Sequence, residues 1–470
     1  MLAAIKAGGA SGLLRAVATL LMGGALAQVI PLLLGPVLTR LYTPDAFGVF
    51  TSFSTVVATV AVVACARYEF ALPLARDAGE ARALFTLCLG VCAALALLAV
   101  LLAAVLHATG HLPLPKLLPL AVAAAGLLQL LVMWATRTQA FRALAISRVL
   151  QYGGAAVLQV LLGGWLWRRA QQPAGADAAW GLVLAQVCAV ALALLPLLPT
   201  VPSLQWRSAW QGRQSAAALG EASDATAAQA ASGSGLVADA AHVDAASLRQ
   251  VAWRYRDFPL LNTPHAFLGA LQDAAAVAIL VAYSGHAAAG FWGLALRYLK
   301  APATLVGSAV SQALYPRLAQ ATPDVARQTV RQVMAVLGVL ALGLMGVLML
   351  AGPWLFEQVF GPGWREAGHL ARALAPYIAA HFVAAPLAVV TMAWQAQRWA
   401  LRWAVVGQLA FVAALALGLR QGGLLAGAWA VSAAMLLYFG IYFWRLACWR
   451  DIPAPQSAGA AAEQGREAQS

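Results

Sequence analysis

The sequence predicts an all-α polytopic membrane protein of twelve transmembrane helices, six on each side of a long central loop. Three observations predict it: an apolar composition, a series of charge-free windows of spanning length, and a single apolar hairpin that carries charge in its interior. Hydrophobic residues make up 62% of the chain and charged residues only 10%, with a mean hydropathy of +0.77, far outside the range of soluble domains of this length.

The windows free of Asp, Glu, Lys and Arg run over 16–39, 46–66, 83–115, 117–136, 149–167, 178–206, 332–356, 373–397, 403–419 and 421–444. A spanning helix needs roughly 17 to 25 residues, so these windows and the two arms of the hairpin give twelve spans. The first apolar run continues to Leu38, past the roughly 7 to 15 residues of a signal-peptide core, and is expected to stay as helix one. The expected division is an N-terminal six-helix lobe over 1–200, a cytoplasmic linker over 201–257, a C-terminal six-helix lobe over 258–450 and a cytoplasmic tail over 451–470. Residues Gln214 to Ser247 contain no Lys or Arg and are rich in Ala, Ser and Gly, a composition that cannot bury a core and reads as disordered; the tail reads the same way.

Loop charges set the orientation. With the N-terminus inside, 21 of the 30 Lys and Arg residues fall on the cytoplasmic side, 7 outside and 2 within the hairpin. Both termini are therefore expected in the cytoplasm. The net charge of +13 follows from this topology and from contact with anionic lipid rather than from nucleic-acid binding.

The hairpin runs from Phe258 to Tyr315 and turns near Ser284-Gly285-His286. Asp273 lies 13 residues before His286, and Arg297 and Lys300 follow it by 11 and 14, so at about 1.5 Å per residue the three sit at similar depth on antiparallel neighbours. A charge inside a bilayer costs at least about 2.5 to 3.5 kcal/mol, which makes such residues functional candidates facing a wet interior. On the second arm Arg297, Lys300, Thr304, Ser308 and Ser311 fall on one stripe, and on the first Asn262, His265, Gly269 and Gln272 or Asp273 do the same. The stripes either line one water-filled cavity or mark a structural ion pair that locks the two arms. The surplus of positive charge points to handling of an anion, with Arg15 near the inner mouth as a further counter-charge.

Other features narrow the class. There is no phosphate-binding glycine loop with a lysine, no His-Glu-x-x-His and no metal-spaced Cys or His cluster, so no metal or cofactor is expected beyond coupling to H+ or Na+. Cys65, Cys88, Cys92, Cys188 and Cys448 read as small buried apolar residues. The largest candidate for an external loop is Gly352 to His369, too short to hold a glycan-transferring site. Transport is favoured over enzymatic activity.

Two stretches carry a family resemblance. Leu38-Thr39-Arg40-Leu41-Tyr42-Thr43-Pro44-Asp45-Ala46-Phe47-Gly48, with Arg67-Tyr68-Glu69, resembles the first helices of bacterial polysaccharide transport proteins. Tyr255-Arg256-Asp257-Phe258-Pro259-Leu260, with Ala289-Gly290-Phe291-Trp292-Gly293 and Gly307-Ser308-Ala309-Val310-Ser311-Gln312, resembles the same family further along, as does Phe141-Arg142 with Ser147-Arg148 and Gln151. This family comprises O-antigen and exopolysaccharide lipid-intermediate flippases of the multidrug/oligosaccharidyl-lipid/polysaccharide exporter superfamily. The resemblance implies a MATE-like, pseudo-two-fold arrangement of the two lobes around a cavity. It implies transport, by alternating access, of an undecaprenyl-diphosphate-linked oligosaccharide across the bacterial inner membrane. A polysaccharide polymerase and a chain-length regulator are the protein partners it suggests. By position it places Arg40 and Asp45 at the outer corner between helices one and two, Arg67 and Glu69 at the cytoplasmic end of helix two, and Arg297 in the cavity. A drug/cation antiporter of the same superfamily and a membrane polysaccharide polymerase or ligase are the rival readings.

Overall fold

The computed structural model describes residues 24, 26–109, 114–201, 245–449 and 452. Most of the expected linker and nearly all of the tail lie outside the described residues. Regular structure among those residues is helical, apart from an isolated parallel bridge between Tyr42 and Ala174.

In chain order the helices are α1 (Leu26–Leu41), α2 (Pro44–Ala61), α3 (Ala78–Thr109), α4 (Leu118–Arg137), α5 (Phe141–Ala170), α6 (Trp180–Leu194), α7 (Ala245–Arg254), α8 (Thr263–Gln320), α9 (Pro323–Phe360), α10 (Arg365–Ala393) and α11 (Gln397–Ala447). A 3-10 segment, Tyr68–Leu74, follows α2, and α5 contains a π-helical turn at Val149–Gly154. Eight helices among the described residues are long and apolar enough to cross a membrane: α3 to α6 and α8 to α11. Two of the four spans by which this count falls short of the expected twelve are second arms, since α8 and α11 each run through a glycine break, and the other two are α1, which is shorter, and α2, which falls outside the eight. In α8 the break is at Gly285 (φ 80°, ψ 179°), at the expected turn; in α11 it is at Gly422 and Gly423. A φ of +80° with ψ near 180° is essentially closed to residues with a Cβ, so glycine reverses the chain where no loop is available. Arg420 Nε donates to the Tyr283 hydroxyl at 2.9 Å and ties the two breaks together.

The chain forms two compact units. One comprises the chain up to Gly35 with Phe53–Trp165 and Trp180–Ala270; the other comprises Pro36–Ser52, Leu166–Ala179 and Leu271–Ser470. The division cuts through α1, α2, α5 and α8 rather than between them.

In the first unit, Cys65, Cys88 and Cys92 sit with Leu72, Leu84 and Leu130 in a buried cluster around the 3-10 segment. Arg137 caps that segment, its Nη1 donating to the carbonyls of Leu72 and Ala75 at 2.8 Å each. Cys188 and Cys448 are exposed, contrary to the expectation for all five cysteines. The stretch 245–254, expected as disordered linker, is instead helix α7. Val251 is buried and Leu248 and Tyr255 pack beside it, at a spacing that makes one helical stripe. Arg254 Nη1 meets Glu80 Oε1 at 2.6 Å, and the Tyr68 hydroxyl donates to the Ala252 carbonyl at 3.2 Å.

In the second unit α10 is the innermost span: 78% of its apolar window is buried, against 17% for α9. The stretch Gly352 to His369, expected as the largest external loop, is helical on both sides of a turn at Gly361–Trp364. Gly361 (φ 101°) reverses the chain and a 3.6 Å ion pair between Arg365 and Glu357 bridges it.

The tightest packing in this unit is a crossing of α2 with the second arm of α8. A Cβ on Gly48 would lie 1.8 Å from the His286 carbonyl oxygen, a Cβ on Gly290 2.0 Å from the Pro44 carbonyl oxygen, and a Cβ on Gly293 2.5 Å from Thr51 Oγ1. A shift of 242 positions carries Pro44 to His286, Gly48 to Gly290 and Thr51 to Gly293, so it exchanges the first two contacts with each other and makes the crossing nearly symmetric. Trp364, 2% exposed, wedges beside it, with ring centroids 5.0 Å from Phe47 and 5.8 Å from Phe291, and its indole N–H donates to the Thr39 carbonyl at 2.9 Å.

Gly48→Ala and Gly290→Ala should each destabilise the protein by at least about 1–3 kcal/mol, because the added methyl meets backbone that cannot rotate away. Thermal unfolding of detergent-purified variants checks this, and melting points equal to wild type would refute the close crossing.

Candidate functional site

The second arm of α8 carries the charged stripe. Lys300 is half-buried and lies within electrostatic range of Asp273 on the first arm, of the Tyr377 phenol and of His381. Tyr377 and His381 are four residues apart on α10, with ring centroids 5.9 Å apart, and Phe411 and Phe439 of α11 complete the aromatic wall at 5.7 and 6.4 Å from Tyr377. Asp273 and Lys300 do not close to an ion pair within 4.0 Å; the Asp273 carboxylate accepts from Gln272 Nε2 at 3.5 Å. Arg297 is exposed and makes no hydrogen bond or ion pair with the described residues. An exposed guanidinium in a spanning helix must meet water or an anion, since contact with hydrocarbon is too costly.

The hydroxyls on the stripe close locally. Thr304 donates to the Lys300 carbonyl at 3.0 Å and Ser308 to the Leu305 carbonyl at 2.9 Å, and both remain exposed. Ser311 reaches α10, donating to the Pro386 carbonyl at 3.1 Å. Gln272, Asp273, Arg297, Lys300, Thr304 and Ser308 all fall in the second unit. Asn262 is exposed and belongs to the first unit. Arg15 lies outside the described residues.

The remaining candidate pairs do not form salt bridges. Arg40 and Asp45 are both exposed, and Arg40 Nη1 instead points to the Pro36 carbonyl at 3.4 Å. Arg67 adopts a left-handed backbone (φ 62°), its guanidinium carbon lies 5.1 Å above the Phe70 ring, and its Nε is buried without a partner. Glu69 is fully buried. Its Oε1 accepts from Gln129 Nε2 of α4 at 2.6 Å, while Oε2 has no partner. Burial pushes the Glu69 carboxyl above the usual carboxylate range, against the opposing pull of its own backbone amide, the Arg67 charge and the Gln129 amide.

Sequence reasoning found the charges and missed their surroundings. Tyr377 and His381 carry no motif, and the signal available was their four-residue spacing between Pro376 and Pro386 on a helix later found to be the most buried span. Gln129, a single amide within the charge-free window 117–136, is the partner of the one fully buried carboxylate among the described residues.

Residues 261–369, which run from the start of α8 into α10, match the model of a family described as polysaccharide biosynthesis protein. The chain matches the solved structure of the lipid II flippase MurJ in an inward closed conformation, with a TM-score of 0.64 at 9% identity, covering 91% of this chain and 89% of that one. It matches a multidrug resistance MATE family transporter of the MOP superfamily in its inward-facing form (TM-score 0.54, 11% identity, 89% of this chain and 95% of that one). The outward-facing form also matches, with a TM-score of 0.52 at 10% identity over 92% and 94%. The chain has the fold shared by MurJ and the MATE transporters. Comparison with curated protein sequences gives no match. The family match agrees with the resemblance read from the residues over 261–369 and leaves the motifs of the first helices outside it, while the solved structures add the fold. The solved structures that share this fold are described as a flippase and as multidrug transporters.

Because the folded-state pKa of Glu69 is raised, the native state holds a proton that the unfolded state gives up. Stability is therefore full below the unfolded pKa and is lost as pH rises through the folded one. Glu69→Gln keeps the acceptor for Gln129 and should flatten the fall in melting temperature with rising pH. An unaltered pH profile in the variant would remove Glu69 as its source.

Proposed function

We propose that this chain is a flippase that moves an undecaprenyl-diphosphate-linked oligosaccharide, an O-antigen or exopolysaccharide repeat unit, from the inner to the outer leaflet of a bacterial inner membrane. The observation that carries this reading is the exposed, unpaired Arg297 beside Lys300 on a spanning helix that lies inside the polysaccharide-family match. A diphosphate must shed much of its hydration to cross the low-dielectric layer, and a planar guanidinium that binds phosphate oxygens bidentately offsets that loss. Lys300 supplies a second positive point charge. Thr304, Ser308, Gln272 and Asn262 offer hydroxyls and amides for the sugars, and the polyprenyl tail stays in lipid.

Without substrate, Asp273 balances part of the Lys300 charge. Asp273 and Glu69 are the acids for an H+ or Na+ step that resets the cycle, with Arg67, Arg40 and Asp45 at the ends of helices one and two adjusting the charge balance. Counting α1, α2 and each arm of α8 and α11 separately gives twelve spans, which fits two lobes of six with both termini in the cytoplasm. A lipid II flippase shares this fold, which supports a lipid-linked substrate. Two cations against one anion in the interior of the hairpin disfavour a cationic drug, although multidrug transporters share the fold too. A polymerase and a chain-length regulator would receive the flipped unit.

Deletion of the chain should trap unpolymerised lipid-linked glycan in the inner leaflet, cleared by wild type and not by Arg297→Ala expressed at equal level in the membrane. Wild-type export by Arg297→Ala would sink the role of that cation. Single units that reach the outer face of the deletion strain would place the protein after flipping.

A further inference from the structure

Helix α7 presents a second face that its packing does not use. Leu248, Val251 and Tyr255 turn inward onto the first unit, and Arg254 is spent on Glu80. Opposite them Arg249 and Trp253 of α7, with Arg256 in the turn that follows it, keep an i, i+4, i+7 spacing and are all exposed. Trp253 is 70% exposed, and the Arg256 guanidinium lies over its ring at 4.2 Å. Leu260, 64% exposed, lies just beyond on the way into α8.

An indole left this open in water forgoes its largest source of burial, and three features identify what covers it. The apolar span of α8 begins at Ala266, ten residues past Arg256, so the connection holds α7 close to the membrane surface. Tryptophan and arginine together fit the headgroup region, where the ring enters the acyl boundary and the guanidinium stays with phosphate. Among the described residues the two cations on this face, Arg249 and Arg256, have no acidic partner at ion-pair distance, so their charge complements an anionic surface.

We propose that the Arg249–Trp253–Arg256 face of α7 docks on the headgroups of anionic phospholipid in the cytoplasmic leaflet, so that lipid charge fixes the position of the segment feeding α8. The helix is already held to the protein, so docking needs no folding step, only contact between this face and the bilayer. At roughly 1 kcal/mol per basic residue near an anionic surface, the two arginines together favour the docked position by about thirtyfold.

The test uses the full chain in lipid nanodiscs, with a nitroxide at Gln250→Cys beside the face and with the exposed Cys188 and Cys448 replaced by alanine. Collision with membrane-dissolved oxygen and with a water-soluble nickel chelate is measured in phosphatidylcholine and in phosphatidylcholine containing phosphatidylglycerol. The expected result is a loss of nickel access and a gain of oxygen access in the anionic discs, reversed by Arg249→Gln with Arg256→Gln and weakened by Trp253→Ala. Equal access in the two lipids, or no effect of the arginine pair, overturns the proposal. So does a response to inorganic pyrophosphate in phosphatidylcholine discs with none to phosphatidylglycerol, which would assign the face to soluble phosphate. None of these readings depends on whether the chain transports glycan.

Discussion

The approach of α2 to the second arm of α8 sets the terms for the rest of the second unit. At Gly48 and Gly290 backbone meets backbone, with no side chain between, and the near-symmetric pairing means that each helix supplies the same type of contact to the other. Close approach of this kind is how spanning helices associate when lipid removes any hydrophobic drive between them. Trp364 depends on the crossing for its position, and through the turn at Gly361 it fixes where α10 begins. Since α10 carries Tyr377 and His381 beside Lys300, the surroundings of the polar stripe depend on a crossing to which Gly48, some 250 residues away, contributes.

Much of the architecture was legible because bilayer physics leaves strong marks. Charge-free windows correspond to helices, and the turn at Gly285 and the break at Gly422-Gly423 fall where polar or glycine residues interrupt them. How abruptly one helix gives way to the next was less legible. A reversal made by one or two glycines leaves almost no loop composition to read, so in α8 and in α11 two arms follow each other with only a glycine break between them. Helix α7 was hidden for the opposite reason: it sits at the edge of an Ala- and Ser-rich stretch, and its stability comes from Glu80 and the cluster around Val251, contacts made more than 150 residues away in sequence.

The charged residues were found from sequence because intramembrane charge is rare, yet their pairing was not. Antiparallel placement suggested an ion pair between Asp273 and one of the two cations across the hairpin, whereas Lys300 shares its surroundings with Tyr377 and His381 and Arg297 is left open. Nothing local to Lys300 encodes those partners, which lie about eighty residues further along. Arg67 and Glu69, two residues apart, invited a pairing that the left-handed turn at Arg67 directs elsewhere, toward Phe70 for the arginine and Gln129 for the acid.

A cation that no carboxylate neutralises is also an electrical element. The membrane potential exerts a force on any charge that lies within the bilayer, worth about 2.3 kcal/mol for each elementary charge carried across a full 100 mV. Any rearrangement that shifts Arg297 along the membrane normal is therefore weighted by the voltage. The weighting is greatest when the guanidinium is bare and falls once an anion rests on it, so empty and loaded forms of the protein respond differently to the same field.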